Sequence, residues 1–374
     1  MALPFHDSSE ATGRERGYAF GQANKAAIEN TIAVYRRIFA EARSLTQPDI
    51  ERFGDSVATY LSANHPDALD EIAGLAAGAK CSEAELVAIN ARTELLAGTT
   101  APECSVIGYQ PHLKRGSGLL ALTWDWHPAL TDSRVLWRIR PTTGPSFITL
   151  TEAGILAKVG LNDSGLATAL NFLTSAADRG TTGTPIHVLL RLVLANCANP
   201  GAALKLLLNT KTAASACITI GYGEPRDALI FAVECSPHGA QAIPPNDRGH
   251  LIHTNHFLCP PPHTTDVGLV GYPGTLVRYS HLASRLAELG DPSVDDLSEL
   301  LQSHFAAPDS VCRHQDDSEP WPELRQTLVA AVVDLNARSL VLSDGPPCEG
   351  RWQQLTATED LDPEARPRVG ADAA

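Results

Sequence analysis

Cys104 is the residue whose position points most directly to chemistry. It follows a loop, Gly98-Thr-Thr-Ala-Pro-Glu103, and opens Cys104-Ser-Val-Ile-Gly-Tyr109, a segment with the period of a strand. A thiol at that junction can attack the carbonyl of Glu103, draw the chain onto sulfur as a thioester, and be released by water. Cys104 is then a free N-terminus. Its α-amine, with a reference pKa of about 7.7–8.0, can serve as base for its own thiol. The alternative is a small buried hydrophobe, the commonest state of a free cysteine. Cys81, Cys197, Cys217, Cys235, Cys259, Cys312 and Cys348 are read that way.

Further groups follow Cys104 in the chain. They are Trp124-Asp-Trp126, Thr151-Glu-Ala-Gly154 leading into Lys158-Val-Gly-Leu-Asn-Asp-Ser-Gly165, His253-Thr-Asn-His256, and Ser310-Val-Cys-Arg-His314. Taken singly, each has an ordinary reading. Asp125 reads as a hydrogen-bonded structural acid, Asn255 as a turn residue near Pro260-Pro-Pro262, and Arg313 as an ion-pair partner. Asn162-Asp-Ser-Gly165 reads as a hairpin turn.

Taken in order after a helical leader, the set resembles the acyl-coenzyme A:6-aminopenicillanic acid acyltransferase family. That family is a branch of the N-terminal nucleophile (Ntn) hydrolases related to choloylglycine hydrolases and penicillin V acylases. The resemblance runs from about Gly13 to Pro347. It implies that Cys104 is the nucleophile and that Asp125 orients the nucleophile's amine. It also implies that the Asn255 amide donates to the oxyanion and that Arg313 lies near the nucleophile. The penicillin enzyme has Gly before its nucleophile and Thr after it, whereas this chain has Glu103 and Ser105. Ser105 keeps a hydroxyl; Glu103 adds bulk and charge at the scissile carbonyl.

Three other readings compete. His253, His256, Cys259 and His263 have the short spacing of zinc ligands, although the first two, three apart at a strand end, point to opposite faces. Cys104 with His127 or His256 could form an unprocessed Cys–His acyl-transfer enzyme. A catalytically dead binding module of the same fold is the third, and the intact Cys104, Asp125, Asn255 and Arg313 set argues against it.

The elements that must position these residues fall into blocks. Residues 1–100 read as helical, with apolar stripes such as Ile28, Ile32, Tyr35 and Phe39, and with Ser82-Glu-Ala-Glu85 as a capping box. Strands are expected at 104–109, 119–124, 135–139 and 147–151, and on both sides of the 162–165 turn. Helix follows over 185–208, broken at Pro200-Gly201. Strands return at 216–222, 228–234 and 251–254, helix at 275–306, and strands at 327–334 and 338–343. Two sheets packed between helices are implied, with a loose tail from Asp360.

Bulk properties agree. The 374 residues are 44% hydrophobic and 19% charged, as in soluble globular chains. The formal charge of −14 disfavours a nucleic-acid partner, which needs clustered Lys and Arg. No apolar run reaches the ~18 residues that span a bilayer. No basic region followed by an apolar stretch opens the chain, and the scattered cysteines read as reduced thiols, so a cytoplasmic enzyme is expected.

The expectation is therefore an α+β protein, an Ntn-type αββα four-layer sandwich made as a precursor. Residues 1–103 would become a small helical subunit that stays bound, and 104–374 the large one. The reaction would be that of an amidohydrolase or N-acyltransferase acting on a small-molecule amide or acyl thioester, an acyl-CoA among the candidate donors. It would need no cofactor and no metal.

Overall fold

Strict alternation along the central strands places one set of side chains between two sheets and the other beneath helices. The computed structural model describes residues 3–98, 104–111, 116–178 and 182–356. The tail beyond Asp360 and the 99–103 loop lie outside the described residues.

The chain starts with a short strand, β1 (Phe5–Ser8). Five helices follow: α1 (Gly13–Ala23), α2 (Lys25–Arg43), α3 (Gln47–Asn64), α4 (Pro66–Ala79) and α5 (Glu83–Asn90), with a final turn, α6 (Arg92–Leu95). Next come β2 (Cys104–Tyr109), β3 (Leu119–Trp126), β4 (Arg134–Ile139), β5 (Phe147–Glu152), β6 (Val159–Asn162) and β7 (Leu166–Phe172). Helices α7 (Ile186–Asn196) and α8 (Pro200–Asn209) precede β8 (Ala216–Glu224), β9 (Asp227–Ser236), β10 (Gly239–Ile243) and β11 (His250–His253). The chain continues with α9 (Gly268–Gly271), α10 (Gly274–Glu288), α11 (Val294–Leu300), β12 (Gln326–Asp334), β13 (Ser339–Ser343) and β14 (Trp352–Thr356).

An eight-stranded sheet has the order β1-β4-β5-β6-β7-β8-β9-β10, and a six-stranded sheet the order β11-β2-β3-β12-β13-β14. Every pairing is antiparallel except β1 with β4. In the smaller sheet Val106, Leu120, Leu122, Val329, Ala331 and Val333 join the core between the sheets. Their neighbours Ile107, Leu119, Ala121, Ala330 and Val332 join a second core with Leu282 and Leu286 of α10 and Leu297 of α11. Both faces are buried, so polar residues do not break the alternation. Helices α7 and α8 lie against the larger sheet, which completes the expected αββα layering.

Two readings of the leader need correction. Residues 1–100 are not helical throughout: Phe5–Ser8 pairs in parallel with Leu136–Ile139 and extends the larger sheet. The Ser82 capping box is half made. The Ser82 hydroxyl accepts from the Glu85 N–H at 3.4 Å, but the buried Glu85 carboxylate pairs with Arg36 of α2 instead of reaching back. Asn162-Asp-Ser-Gly165 is the expected hairpin turn, with Gly165 at φ +90° and its N–H donating to Asn162 O at 3.0 Å.

The leader is fastened to the sandwich by specific contacts. Glu71 of α4 accepts two 2.7 Å bonds from Arg191 of α7, and Glu94 Oε1 accepts from the Ile186 N–H at 3.0 Å. Tyr35 Oη donates to Glu152 at 2.6 Å and accepts from Trp126 Nε1 at 2.9 Å.

Helices α1 and α4 meet through glycines on both sides. A Cβ built on Gly74 would lie 2.2 Å from Arg14 O, and one on Gly17 2.1 Å from Glu71 O. Backbone meets backbone there, so no side chain can rotate away. Gly74→Ala should therefore destabilise the protein by about 1–3 kcal/mol through overpacking, against roughly 1 kcal/mol of helix propensity that alanine would add. Urea unfolding of the two proteins checks this; a more stable variant would mean the helices do not meet as described.

Candidate active site

Cys104 opens β2 and is buried, with 8% of its surface exposed. Its backbone is clamped on both sides. The Cys104 N–H donates to Asn255 Oδ1 at 2.9 Å. Its carbonyl accepts from Asn171 Nδ2 at 3.1 Å and from Arg278 Nη1 at 3.0 Å. Arg278 also donates to Ser105 Oγ at 3.1 Å and, through Nη2, to Asn255 Oδ1 at 3.1 Å. Because two donors face this oxygen, the orientation of the Asn255 amide is fixed. One Nδ2 hydrogen goes to Phe172 O at 3.0 Å. The clamp thus joins β2, β7, α10 and the turn after β11.

Asp125 lies on β3 opposite Thr327 of β12. It is wholly buried and accepts from Thr327 Oγ1 at 2.6 Å and Thr123 Oγ1 at 3.2 Å. Burial pushes its carboxyl up to about 7, against the pull of the Thr327 bond, the Arg278 charge and the Thr123 bond. The Cys104 thiol is pushed up to about 11 by burial and by the Asp125 charge. The Asp125 backbone N–H, Lys158 and Arg278 act in the opposite direction. So raised, the thiol is neutral near pH 7 and would need a base to become a nucleophile.

Side chains between the sheets form the wall on the other side of Cys104. Arg92, Thr93, Leu122, Trp124, Lys158, Leu170, Phe172 and Ala216 enclose a cavity of about 20 Å³ with it, room for about one water. Arg92 and Thr93 come from the leader, so this segment supplies part of the wall. Lys158 Nζ lies 3.6 Å from the centre of the Trp124 ring and 2.5 Å from Glu152 Oε1. Burial lowers Lys158 to about 7, opposed by Glu152. Burial alone would raise Glu152, but Lys158 and Arg92 hold it below its usual value.

Of the site residues named from the sequence, the structure brings three together. Cys104, Asp125 and Asn255 converge. The Arg313 guanidinium pairs with Glu319 at 3.1 Å and lies 4.0 Å from Asp309. Its backbone meets Thr327, the residue that holds Asp125: the Arg313 N–H donates to Thr327 Oγ1, and the Thr327 N–H to Arg313 O, both at 2.9 Å. The arginine at the Cys104 carbonyl is Arg278, which the sequence reading missed, as it missed the roles of Asn171 and Lys158. A signal for Arg278 existed: it interrupts the buried stripe Thr275, Leu282, Leu286 of an amphipathic helix. Glu103 lies outside the described residues.

The competing readings fare differently. Both His127 nitrogens are engaged, by Trp321 O at 2.9 Å and the Ala129 N–H at 3.2 Å. His256 Nδ1 faces Thr254 and Thr275 hydroxyls at 3.2 and 3.0 Å. Neither imidazole is engaged with Cys104. His253 is buried, with its nitrogens on Glu234 at 2.9 Å and Thr254 O at 2.8 Å. Burial would lower His253, but Cys217 and Glu234 raise it to about 10, which makes it an imidazolium in a buried pair and not a metal ligand.

A family model described as acyl-coenzyme A:6-aminopenicillanic acid acyl-transferase matches residues 113–347. The stretch includes Asp125, Asn255 and Arg313 and begins after Cys104. The acyl-coenzyme A:6-aminopenicillanic-acid-acyltransferase 40 kDa form of Emericella nidulans is 29% identical over 256 residues, covering 68% of this chain and 69% of that protein. Among solved structures, the Caenorhabditis elegans ortholog of N-acylethanolamine-hydrolyzing acid amidase is similar at a TM-score of 0.46 and 16% identity, covering 62% of this chain and 93% of that one. Penicillin V acylase from Agrobacterium tumefaciens gives 0.45 and 12%, covering 64% and 83%.

The buried Asp125 leaves a mark on stability. Its folded pKa is raised from 3.8 to about 7, so its contribution is present below pH ~4 and is lost as pH rises through about 7. In a Cys104→Ala background, stability relative to Asp125→Asn should fall over that window by up to about 1.4 kcal/mol per pH unit. Urea titrations of both proteins between those limits measure the difference; parallel curves would mean Asp125 ionises freely.

Proposed function

Because the chain belongs to the acyl-coenzyme A:6-aminopenicillanic acid acyl-transferase family, we propose that it is made as a precursor, cuts itself between Glu103 and Cys104, and then transfers acyl groups through a thioester on Cys104. Membership makes it an acyltransferase or amidohydrolase of the Ntn class. The observation that carries self-cleavage and the Cys104 thioester is the clamp. Asn255, Asn171 and Arg278 fix the Cys104 backbone on both sides of its α-carbon, and Asp125 is buried beside it.

Cleavage begins when the Cys104 sulfur bonds to the Glu103 carbonyl carbon. The C–N bond breaks, and the thiol proton goes to the departing Cys104 nitrogen. Water then adds its hydroxyl to the Glu103 acyl carbon and returns a proton to sulfur. The released α-amine stays within reach of Asn255 Oδ1, the acceptor its N–H already uses. Near neutral pH it takes the thiol proton, and the resulting ammonium offsets the nearby Asp125 carboxylate, so both ionise more readily than in the uncut chain.

In turnover the thiolate attacks the substrate carbonyl, and the second Nδ2 hydrogen of Asn255 donates to the oxyanion. The ammonium returns its proton to the leaving group. Water or an amine then resolves the thioester, giving hydrolysis or N-acyl transfer. The substrate class is a small amide or acyl thioester, an acyl-CoA among them. Since Arg92 and Thr93 line the pocket, fragment 1–103 remains bound as part of the enzyme.

Fresh protein should give two bands on a denaturing gel, the larger with the N-terminal sequence Cys-Ser-Val-Ile. Cys104→Ala should abolish cleavage and activity together, and Cys104→Ser should retain slow cleavage. An active preparation with one full-length band would overturn self-processing, and turnover by Cys104→Ala would remove Cys104 as nucleophile.

Asn255 separates two roles. Asn255→Asp keeps the oxygen that accepts from Cys104 and Arg278 but loses the amide donor. If the donor serves the oxyanion, both Asn255→Ala and Asn255→Asp should lower kcat by about 10²–10³ while remaining folded. Near-normal kcat in Asn255→Asp would show that only the acceptor matters.

A further inference from the structure

A second constellation, outside the acyl-transfer site, gathers four residues from three segments. His304 follows α11, Cys312 and His314 belong to the segment before β12, and Cys348 lies in a helical turn, Pro347–Glu349, after β13. One ligand atom from each of the four lies within 4.8 Å of all the others. His314 Nε2 is 3.1 Å from His304 Nε2, 3.2 Å from Cys348 Sγ and 3.7 Å from Cys312 Sγ.

A single imidazole nitrogen cannot satisfy three such neighbours. It carries either one proton or one lone pair, so it makes one good hydrogen bond, and the two facing Nε2 atoms cannot both be donors. A cation at the centre would engage all four atoms at once. Zinc bound to sulfur at about 2.3 Å and to nitrogen at about 2.0–2.1 Å in a tetrahedron requires N···N near 3.3 Å and N···S near 3.6 Å. The N···N separation found here, 3.1 Å, is slightly shorter than its edge, and the two N···S separations, 3.2 and 3.7 Å, lie on either side of theirs. Cys312 is further held by its N–H donating to Ser303 O at 3.0 Å and by its carbonyl accepting from Ser310 Oγ at 2.6 Å.

We propose that His304, Cys312, His314 and Cys348 bind one zinc ion as a closed structural site. Two imidazoles and two thiolates make a Cys2His2 set with no open position, the form of structural and not catalytic zinc. Binding releases the two thiol protons and leaves the complex neutral. The ion would join the segment after α11, the strand-leading segment before β12 and the turn after β13. It also has a bearing on the acyl-transfer site. Arg313 lies between two ligands, and its backbone holds Thr327, whose hydroxyl holds Asp125. The zinc site would thereby fix the register of the chain that supports the buried acid. The sequence expectation of no metal, and the rival expectation of zinc at His253–His263, both differ from this site.

The test uses full-length Cys104→Ala protein, so that the acyl-transfer thiol cannot bind the metal. The protein is stripped with chelator under reducing conditions and titrated with zinc against a chromophoric competitor. One zinc per chain is expected, with a rise of several degrees in Tm. Cobalt substitution should give the intense visible bands of tetrahedral coordination and thiolate-to-cobalt charge transfer in the near ultraviolet. His304→Ala, at an exposed position, should lose at least tenfold in affinity while staying folded, and Cys348→Ser should reduce the charge-transfer intensity. Cys259→Ser and His263→Ala should bind as tightly as their parent. Substoichiometric binding, equal affinity in His304→Ala, octahedral cobalt spectra, or a Cys312–Cys348 disulfide that persists under reductant would each overturn the site.

Discussion

The buried guanidinium of Arg278 is the constraint on which the site around Cys104 depends. It is 1% exposed, and burying a cation is expensive unless it is paired and hydrogen-bonded. Its bonds go to the Cys104 carbonyl, the Ser105 hydroxyl and the Asn255 side chain, and its charge is balanced by Asp125. The bonds of its two Nη atoms bring the start of β2, the turn after β11 and the middle of α10 into a single arrangement. Arg278 therefore places the Cys104 backbone before any chemistry begins. Removing it would leave Asp125, Asn255 and the Cys104 carbonyl to find other partners in a site with little water.

A second network runs through the first. Glu152 accepts from Lys158 and Tyr35, and Arg92 lies 3.7 Å from it. Tyr35 and Arg92 belong to the leader, while Lys158 lines the cavity with Cys104. The N-terminal helices are thus part of the electrostatics around Cys104. Were the chain cut before Cys104 as proposed, these contacts would hold the two fragments together. The α1–α4 glycine contact and the Glu71–Arg191 pair serve the same end at a distance.

Much of the fold was legible because the strands that matter are buried on both faces and begin and end at clear turns. β2 to β9 and β12 to β13 were visible for that reason. β1, with the sequence Phe-His-Asp-Ser, carries no strand pattern; it exists because the edge of β4 offers it a partner. β10 and β14 are edge strands, more exposed than the strands inside their sheets. The meeting of Cys104, Asp125 and Asn255 was legible from motif order. Arg278, Asn171 and Lys158 were not, because their roles arise from proximity across elements far apart in the chain. The same holds for the four residues at His304. Short spacing drew attention to His253–His263, but a buried ion pair with Glu234 occupies His253, while the convergent set is scattered over three segments.

The claim at the centre is that the sulfur of Cys104 carries the acyl group. Mature protein can be mixed with a panel of small amides and acyl thioesters, quenched in acid within the turnover time, and read by intact mass and peptide mapping. The expected result is an added acyl mass on the large fragment, confined to the peptide that begins at Cys104 and discharged by hydroxylamine as a thioester is. An acyl mass on any other residue, or turnover of a substrate with no acyl-enzyme under conditions where deacylation is made limiting, would contradict it.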